Sequence, residues 1–167
     1  MTNAAITGHT SGLGKALADL YPDYQGFSSS YGYDISDWQA RCDIVKECQC
    51  VDIIFNNAHS GFSQVELLYQ LYAAYHNTDK TIVNISSVSP ETSIHHPHKY
   101  AVEKLALDAA SKQLDANSQC RIVLVKPGLF ESERSRYISG NKMTARHVAQ
   151  QIKIHLLDPT ANIINIQ

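Results

Sequence analysis

The sequence lacks several features that would assign it to a membrane or nucleic-acid class. No apolar run approaches the roughly 20 residues of a membrane-spanning helix. Basic residues are not in excess, since the formal net charge is -2, and a nucleic-acid-binding surface is therefore not expected. The first ten residues contain no charged segment followed by an apolar one, so we predict no signal peptide and expect a cytoplasmic protein.

The cysteines and histidines do not form a recognisable metal-binding pattern. The chain has 4 cysteines, and no second pair at zinc-finger spacing follows Cys48 and Cys50. We expect free structural thiols, because unpaired cysteines are commonly buried. His95, His96 and His98 cluster in sequence, but no fourth ligand and no carboxylate-bearing metal motif accompanies them. We therefore predict no metal site.

Segments rich in β-branched and apolar residues alternate with amphipathic segments along the chain. Apolar runs such as VDIIF and RIVLV are typical of parallel strands buried on both faces. The alternation predicts an α/β fold, a doubly wound parallel sheet wrapped by helices with right-handed crossovers. No repeat or flexible linker divides the chain, so we expect one domain over residues 1–167. Strands are predicted at 3–7, 25–28, 51–56, 81–86, 121–126 and 162–166, and helices at 12–20, 38–48, 64–75, 100–116 and 144–157.

One connection in this pattern is too short for a parallel crossover. Only a few residues separate Ser28 from Asp34, whereas a crossover between parallel strands needs a dozen or more. The strand that would come third is therefore predicted to be missing or vestigial. The sheet should have about six strands.

The first predicted strand leads directly into TGHTSGLG, residues 7–14, which opens the first helix. Gly8 permits a tight turn, Gly12 lets the backbone approach a pyrophosphate, and Gly14 permits close packing of helix and strand. N–H groups at the helix N-terminus would hold the anion. A glycine-rich loop between the first strand and the first helix therefore predicts a nucleotide site.

The glycine spacing and several later motifs resemble the short-chain dehydrogenase/reductase family. The resemblance covers essentially the whole chain and implies a Rossmann-type fold in an unusually short member of that family. The third strand of the family fold is predicted to be missing or vestigial in this chain. The later motifs are, in chain order, Asp34-Ile35, Asn-Asn-Ala-His at 56–59, Ser87 at the end of IVNISS, Tyr100-Ala-Val-Glu-Lys104 beginning thirteen residues after that serine, and Lys126-Pro127-Gly128.

The resemblance implies an NAD(P)-dependent oxidoreductase that interconverts carbonyl and alcohol groups. It implies Ser87, Tyr100 and Lys104 as catalytic residues, a small carbonyl or alcohol substrate, and a homodimer or homotetramer. The implied cofactor contacts are Gly8, Thr10, Ser11, Gly12, Leu13, Gly14, Ser28, Ser29, Asp34, Ile35, Asn57, Ala58, Tyr100, Lys104, Pro127 and Gly128.

The chemistry of the three side chains supports this interpretation. A free tyrosine has a pKa of about 10, too high for ready proton exchange at neutral pH. A lysine one helical turn after Tyr100 would stabilise the phenolate, and Ser87 at the end of a central strand would hold the substrate oxygen. A tyrosine and a lysine four residues apart are, by themselves, better explained as a chance helical pair. The ordered serine and glycine loop favour the catalytic interpretation.

The predicted cofactor preference depends on GFSSS, residues 26–30, at the end of the second strand. This segment has no acidic residue for a ribose diol and no arginine for a phosphate. Ser28, Ser29 and Ser30 would donate hydrogen bonds to a 2′-phosphate, with charge added by His9 or Arg41. A simple polar turn is the alternative. We expect NADP, with NAD as the second choice.

Departures from the family pattern keep other interpretations open. Gln64 is the nearest match to an asparagine that supports a relay water in the family, and His59 replaces a glycine beside the cofactor. Only about fifteen residues separate Gly128 from the last predicted helix, which leaves the pocket open or completed by a partner subunit. The alternative function is a nucleotide-binding sensor or scaffold without useful turnover. The loop histidines 95, 96 and 98 either contact substrate or face solvent.

Overall fold

A six-stranded parallel sheet forms the centre of the protein. The computed structural model describes residues 3–133 and 135–167. Within them the strands are β1 (Ala4–Thr7), β2 (Tyr24–Phe27), β3 (Ile53–Asn56), β4 (Thr81–Ile85), β5 (Arg121–Pro127) and β6 (Ile163–Ile166). Their order is β2-β1-β3-β4-β5-β6, and every neighbouring pair is parallel. The predicted doubly wound sheet with about six strands is confirmed.

Helices cover both faces of the sheet. They are α1 (Gly12–Ala18), α2 (Trp38–Glu47), α3 (Ser63–Tyr75), α4 (Ser89–Thr92), α5 (Lys99–Asp115) and α6 (Ala145–His155). One apolar cluster joins α1 and α6 to one face, and a second joins α2, α3 and α5 to the other. The chain changes direction across the sheet between β1 and β3, and the carboxyl ends of parallel strands at such a point are where ligands bind in this architecture.

The central strands are buried on both sides, which explains their continuous apolar sequences. Successive side chains of a strand point to opposite faces. Ile54 of β3 belongs to one apolar cluster and Phe55 to the other, and Ile82 and Val83 of β4 divide in the same way. Each such side chain contributes about 1.5–3 kcal/mol when fully buried. The apolar runs in the sequence are therefore the signature of a sheet sandwiched between helices.

The strand predicted to be missing is absent from the described residues. After β2 the chain forms a short 3-10 turn at Ser29–Tyr31 and a left-handed residue, Gly32, with φ 87°. Asp34 accepts the N–H of Ser36 at 2.9 Å, and the chain then enters α2. The segment between β2 and α2 is thus used as a turn, which leaves β2 at the edge of the sheet.

The helix boundaries differ from the predictions by one or two residues, and one helix was missed. Thr144 caps α6 as predicted, accepting the N–H of His147 at 3.1 Å. The four-residue helix α4 was not predicted, because Pro90 in its first turn marks only a start and a single turn shows no periodicity. No helix within residues 3–133 or 135–167 is long and apolar enough to cross a membrane.

Candidate active site

Each of the three glycines in the loop between β1 and α1 is required by the local backbone geometry. Gly8 and Gly12 have φ values of 70° and 51°, which side-chain-bearing residues rarely adopt. At Gly14 an added Cβ would lie 2.0 Å from the carbonyl oxygen of Gly8. At Gly12 an added Cβ would meet no atom within 4 Å, so the backbone there is open to a ligand. Nearby, Thr10 and Ser11 are exposed, whereas the side chain of Leu13 is in the core.

Thr7 joins the glycine loop to the loop that follows β3. Its hydroxyl donates to the carbonyl oxygen of Phe55 at 3.2 Å and accepts the backbone N–H groups of Asn57 and Ala58, each at 2.9 Å. The Asn57 amide returns a hydrogen bond to the Thr7 carbonyl oxygen at 2.9 Å. The two loops predicted to contact the cofactor are therefore one hydrogen-bonded unit.

Replacing Thr7 with valine, which has the same shape without the hydroxyl, should lower the free energy of unfolding by about 2 kcal/mol. The reason is that the N–H groups of Asn57 and Ala58 lose their acceptor in a partly buried loop. Equilibrium unfolding in urea measures the change. Thr7→Ser, which retains the hydroxyl, is the matched control and should keep most of the stability. Equal losses in both variants would show that the hydroxyl is not responsible.

The cofactor contacts predicted in the segment after β2 differ in how far they are buried. Ser28 is buried and shares a 2.7 Å hydrogen bond with the Ser30 hydroxyl, while Ser29 is exposed. Asp34 is also exposed, and hydrogen bonds from the backbone and side chain of Ser36 lower its pKa. Ile35, by contrast, has its side chain in the core. Ser29, Ser30 and Asp34 are accessible at this edge of the sheet, whereas Ser28 is buried and Ile35 offers only its backbone.

Arg41 and His9, which were predicted to add positive charge near the serines, contact other parts of the protein. The Arg41 guanidinium donates to the Ile35 carbonyl oxygen at 2.6 Å and lies 2.5 Å from the Glu66 carboxylate. The His9 ring packs between Tyr24 and Tyr31, with ring centroids 5.7 Å apart in each case. Arg41 therefore serves the contact between α2 and α3, whereas His9 remains beside β2.

Lys104 is a buried cation one helical turn after Tyr100 on α5. Its ammonium donates to the side-chain oxygen of Gln64 at 2.8 Å and to the carbonyl oxygen of Ile85 at 2.7 Å. It also lies 5.5 Å from the centre of the Tyr100 ring. Since Ile85 is the last residue of β4, these contacts hold the charge at the carboxyl edge of the sheet.

Ser87 follows β4 at the same edge. Its hydroxyl accepts the backbone N–H of Ser89 at 3.0 Å and lies 2.9 Å from the Ser89 hydroxyl. The backbone of the next residue, Val88, donates to the Pro127 carbonyl oxygen at 3.2 Å, and Gly128 donates to the Ile166 carbonyl oxygen at 2.7 Å. The serine and the Pro-Gly turn are thus fixed at the ends of adjacent strands.

Gln64, expected from its position in α3 to replace a relay asparagine, contacts Lys104 directly. Its amide nitrogen donates to the carbonyl oxygens of Asn56 and Ile85, at 2.7 and 3.1 Å. The Asn56 amide in turn donates to the Gln64 carbonyl oxygen and to the Asn84 side chain, both at 3.0 Å. A buried polar chain thus links Lys104, Gln64, Asn56 and Asn84, and the sequence did not show that these residues are connected.

A second cluster of polar side chains, which was not predicted from the sequence, surrounds Lys126. Its ammonium lies 2.9 Å from the Asp108 carboxylate and also pairs with Glu91 of α4. Asp108 accepts a hydrogen bond from the Ser86 hydroxyl. Burial alone would lower the pKa of Lys126, but the hydrogen bonds to Glu91 and Asp108 outweigh burial and raise the pKa. The residue before the Pro-Gly turn therefore ties β5 to α4 and α5.

His59 lies against Tyr100 and beside an acidic residue. The imidazole meets the phenol ring edge-on, with centroids 4.9 Å apart, and its Nε2 is 3.0 Å from the Glu103 carboxylate. Sequence reasoning singled out His59 as a departure but did not connect it to Glu103. Those two positions are 44 residues apart in sequence, and nothing in the local pattern relates them.

The loop histidines differ in their relation to the site. His95 and His96 are exposed, as is His98, but the His98 ring centroid is 6.0 Å from that of Tyr100. Across residues 3–133 and 135–167, no group of three His, Cys, Asp or Glu side chains is arranged to hold a metal ion. His98 is thus the member of the cluster beside the candidate site.

The segment after Gly128 closes on itself. Phe130 and Met143 form a short β-bridge, and Glu131 donates to the Met143 carbonyl oxygen at 2.8 Å. Tyr137 and Ile138, farther along, are exposed. The short connection noted in the sequence is therefore a compact loop anchored beside the Pro-Gly turn.

The structure is similar to those of several short-chain dehydrogenases. A short-chain dehydrogenase from Burkholderia cenocepacia, in complex with NADP, is 15% identical with a TM-score of 0.84 over 99% of this chain and 88% of that chain. A small-chain dehydrogenase in complex with NADPH is 18% identical, with a TM-score of 0.82 over 99% and 96% of the two chains. One from Burkholderia phymatum, in complex with NAD, is 17% identical, with a TM-score of 0.76 over 98% and 88%.

These likenesses define the fold of the chain. No protein-family model and no curated protein sequence matches it. At identities of 15 to 18%, the comparison shows that the chain has the fold of the short-chain dehydrogenases/reductases. The fold expected from the sequence motifs is thereby confirmed.

Proposed function

We propose that the protein is an NAD(P)-dependent oxidoreductase of the short-chain dehydrogenase/reductase family. It would interconvert a small carbonyl compound and the corresponding alcohol. The observation that carries this proposal is the buried Lys104 ammonium, held 5.5 Å from the Tyr100 ring at the carboxyl edge of the sheet. A buried cation beside a phenol favours the phenolate, which a proton-transferring tyrosine needs at neutral pH.

The residues at the carboxyl ends of β1 and β3, where the chain changes direction across the sheet, fit a dinucleotide. The backbone at Gly12 is open, the loop around Gly8 is locked by Thr7, and Asn57 and Ala58 lie on the adjoining loop. We propose that the sixteen residues predicted from the sequence bind the dinucleotide. Leu13 and Ile35 would contribute only backbone groups, because their side chains are in the core. When bound, the nicotinamide supplies or accepts the hydride.

The protein's own part in the reaction is the movement of a proton. In the direction of reduction, Ser87 would hold the carbonyl oxygen by a hydrogen bond, and the Tyr100 hydroxyl would give its proton to that oxygen. The resulting phenolate is stabilised by the ammonium of Lys104. In the direction of oxidation, the phenolate would take the proton from the alcohol.

NADP is the cofactor that the segment after β2 favours. Ser29 and Ser30 are exposed there, and hydroxyl groups can donate to a 2′-phosphate. Of the three similar structures described above, two contain NADP or NADPH and one contains NAD. The same reasoning keeps NAD as the alternative cofactor.

We further propose a cytoplasmic homodimer or homotetramer that associates through α3 and α5. Tyr69 on α3 and Val102 and Leu105 on α5 are large apolar side chains that remain exposed. Tyr75, farther along α3, is instead buried in the core. Of these two tyrosines of α3, Tyr69 is thus available for an interface and Tyr75 packs in the core.

A nucleotide-binding sensor without turnover is the second candidate. The observation that favours it is the engagement of the Lys104 ammonium by two groups of the protein itself, Gln64 and Ile85. A sensor would bind the dinucleotide but would not use the proton-transferring tyrosine.

Turnover with a panel of small ketones and aldehydes separates the two candidates. The enzyme should consume NADPH in the presence of at least one carbonyl compound, with a lower KM for NADPH than for NADH. The loss of nicotinamide absorbance measures both. Tight binding of NADPH with no consumption across the panel would favour the sensor, and a lower KM for NADH would overturn the cofactor assignment.

A further inference from the structure

His59 and Glu103 form a largely buried pair of ionisable side chains, and the His59 ring packs directly against Tyr100. Their side chains are 12% and 6% exposed, and Nε2 of His59 is 3.0 Å from the Glu103 carboxylate. The proton transfer described above uses neither of them. Two ionisable groups out of water are costly unless each compensates the other. The pair is therefore expected to have an effect on the tyrosine it contacts.

The positions of the two side chains suggest what that effect is. Glu103 is three residues after Tyr100 on α5, so both lie on one side of the helix. A carboxylate near a phenol disfavours the phenolate, because two negative charges then lie close together. His59 contacts both residues. In its protonated form it cancels the charge of the Glu103 carboxylate, and its ring packs on the Tyr100 phenol.

Other charged or titratable groups around Tyr100 do not replace this contact. Lys104 lies 5.5 Å from the phenol ring centre and also binds Gln64 and Ile85. His98 approaches from the loop before α5, with ring centroids 6.0 Å apart. Lys99 reaches Glu103 at 3.7 Å, but its side chain is 83% exposed and its charge is screened by solvent.

We propose that His59 and Glu103 are positioning residues for Tyr100. Glu103 holds the imidazole, the imidazole holds the phenol ring, and the imidazolium shields the phenol from the carboxylate. The histidine that replaces a glycine in the Asn-Asn-Ala-His motif and the glutamate before Lys104 thus act together on Tyr100. Its use in catalysis rests on the proposed function; the arrangement itself does not.

The ionisation of Tyr100 tests the proposal without any substrate. The phenolate absorbs in the near ultraviolet, and each variant is titrated against the same variant carrying Tyr100→Phe, so that the difference reports Tyr100 alone. His59→Gln should move the midpoint up by about 1 pH unit, a tenfold loss of phenolate at a given pH. Glu103→Gln should move it down by about the same amount. The double variant should return close to the midpoint of the unchanged chain.

The opposite signs distinguish a charge effect from a loss of packing. Shifts in one direction for both single variants, or unchanged midpoints, would overturn the proposal. If His59→Gln does not fold, judged by circular dichroism, Glu103→Gln alone must still lower the midpoint. The pH profile of alcohol oxidation should move with the titration. If no variant turns over any substrate, the proposed function fails while the titration still decides the role of the pair.

Discussion

Replacing Tyr100 with phenylalanine will lower kcat for carbonyl reduction by about a thousandfold, the usual effect of removing a general acid. The phenylalanine ring keeps the edge-on contact with His59 and loses only the hydroxyl. The affinity for NADPH should therefore stay close to that of the unchanged protein. Steady-state kinetics and a fluorescence titration of NADPH binding measure the two quantities.

The exposed Tyr137 supplies a matched control for this substitution. It is 81% exposed and lies in the loop after Gly128, so Tyr137→Phe should leave kcat unchanged. Turnover that survives in Tyr100→Phe would remove the tyrosine from the mechanism. Loss of NADPH binding together with turnover would mean that the Tyr100 hydroxyl holds the cofactor and would leave the proton donor unassigned.

Among the glycine-to-alanine substitutions in the glycine loop, Gly14→Ala will lower the stability most. The added Cβ would lie 2.0 Å from the Gly8 carbonyl oxygen, which belongs to the backbone and cannot rotate away as a side chain could. The helix must then move away from the loop, at a cost of about 3 kcal/mol in the free energy of unfolding. Binding of NADPH should be lost as well, because the loop and the start of α1 no longer hold their geometry.

Gly12→Ala is the control that separates crowding from backbone strain. A Cβ at Gly12 meets nothing within 4 Å, but its φ of 51° is unfavourable for alanine by about 1 kcal/mol. Equilibrium unfolding in urea compares the two variants. If Gly14→Ala is no less stable than Gly12→Ala, close packing of helix and strand is not what requires a glycine at position 14.

The features that the sequence predicted are those encoded in consecutive residues. Apolar runs located the central strands, because most positions of a strand buried on both faces are apolar. The alternation of strands and helices gave the parallel sheet, and the short Ser28–Asp34 connection identified the missing strand. The glycine loop and the pair of Tyr100 and Lys104 were recognisable for the same reason, since a tight turn and one helical turn are both local.

The features that the sequence did not predict are contacts between distant residues. His59 meets Glu103, Lys126 meets Asp108 and Glu91, and the two members of each pair lie on different elements. A buried carboxylate at Glu103 looks, in a helical pattern, like one more solvent-facing charge. The pairing becomes evident only once the fold brings the two elements together.

The missing third strand has a consequence for how the sheet ends. β2 is the last strand on its side, and an edge strand presents unpaired N–H and C=O groups to which another chain can add. Here that edge has only the four residues Tyr24–Phe27, with Pro22 just before it and a 3-10 turn just after it. So short a template gives few rungs for an incoming strand. The shortness of β2 therefore limits the tendency of the protein to aggregate through this edge.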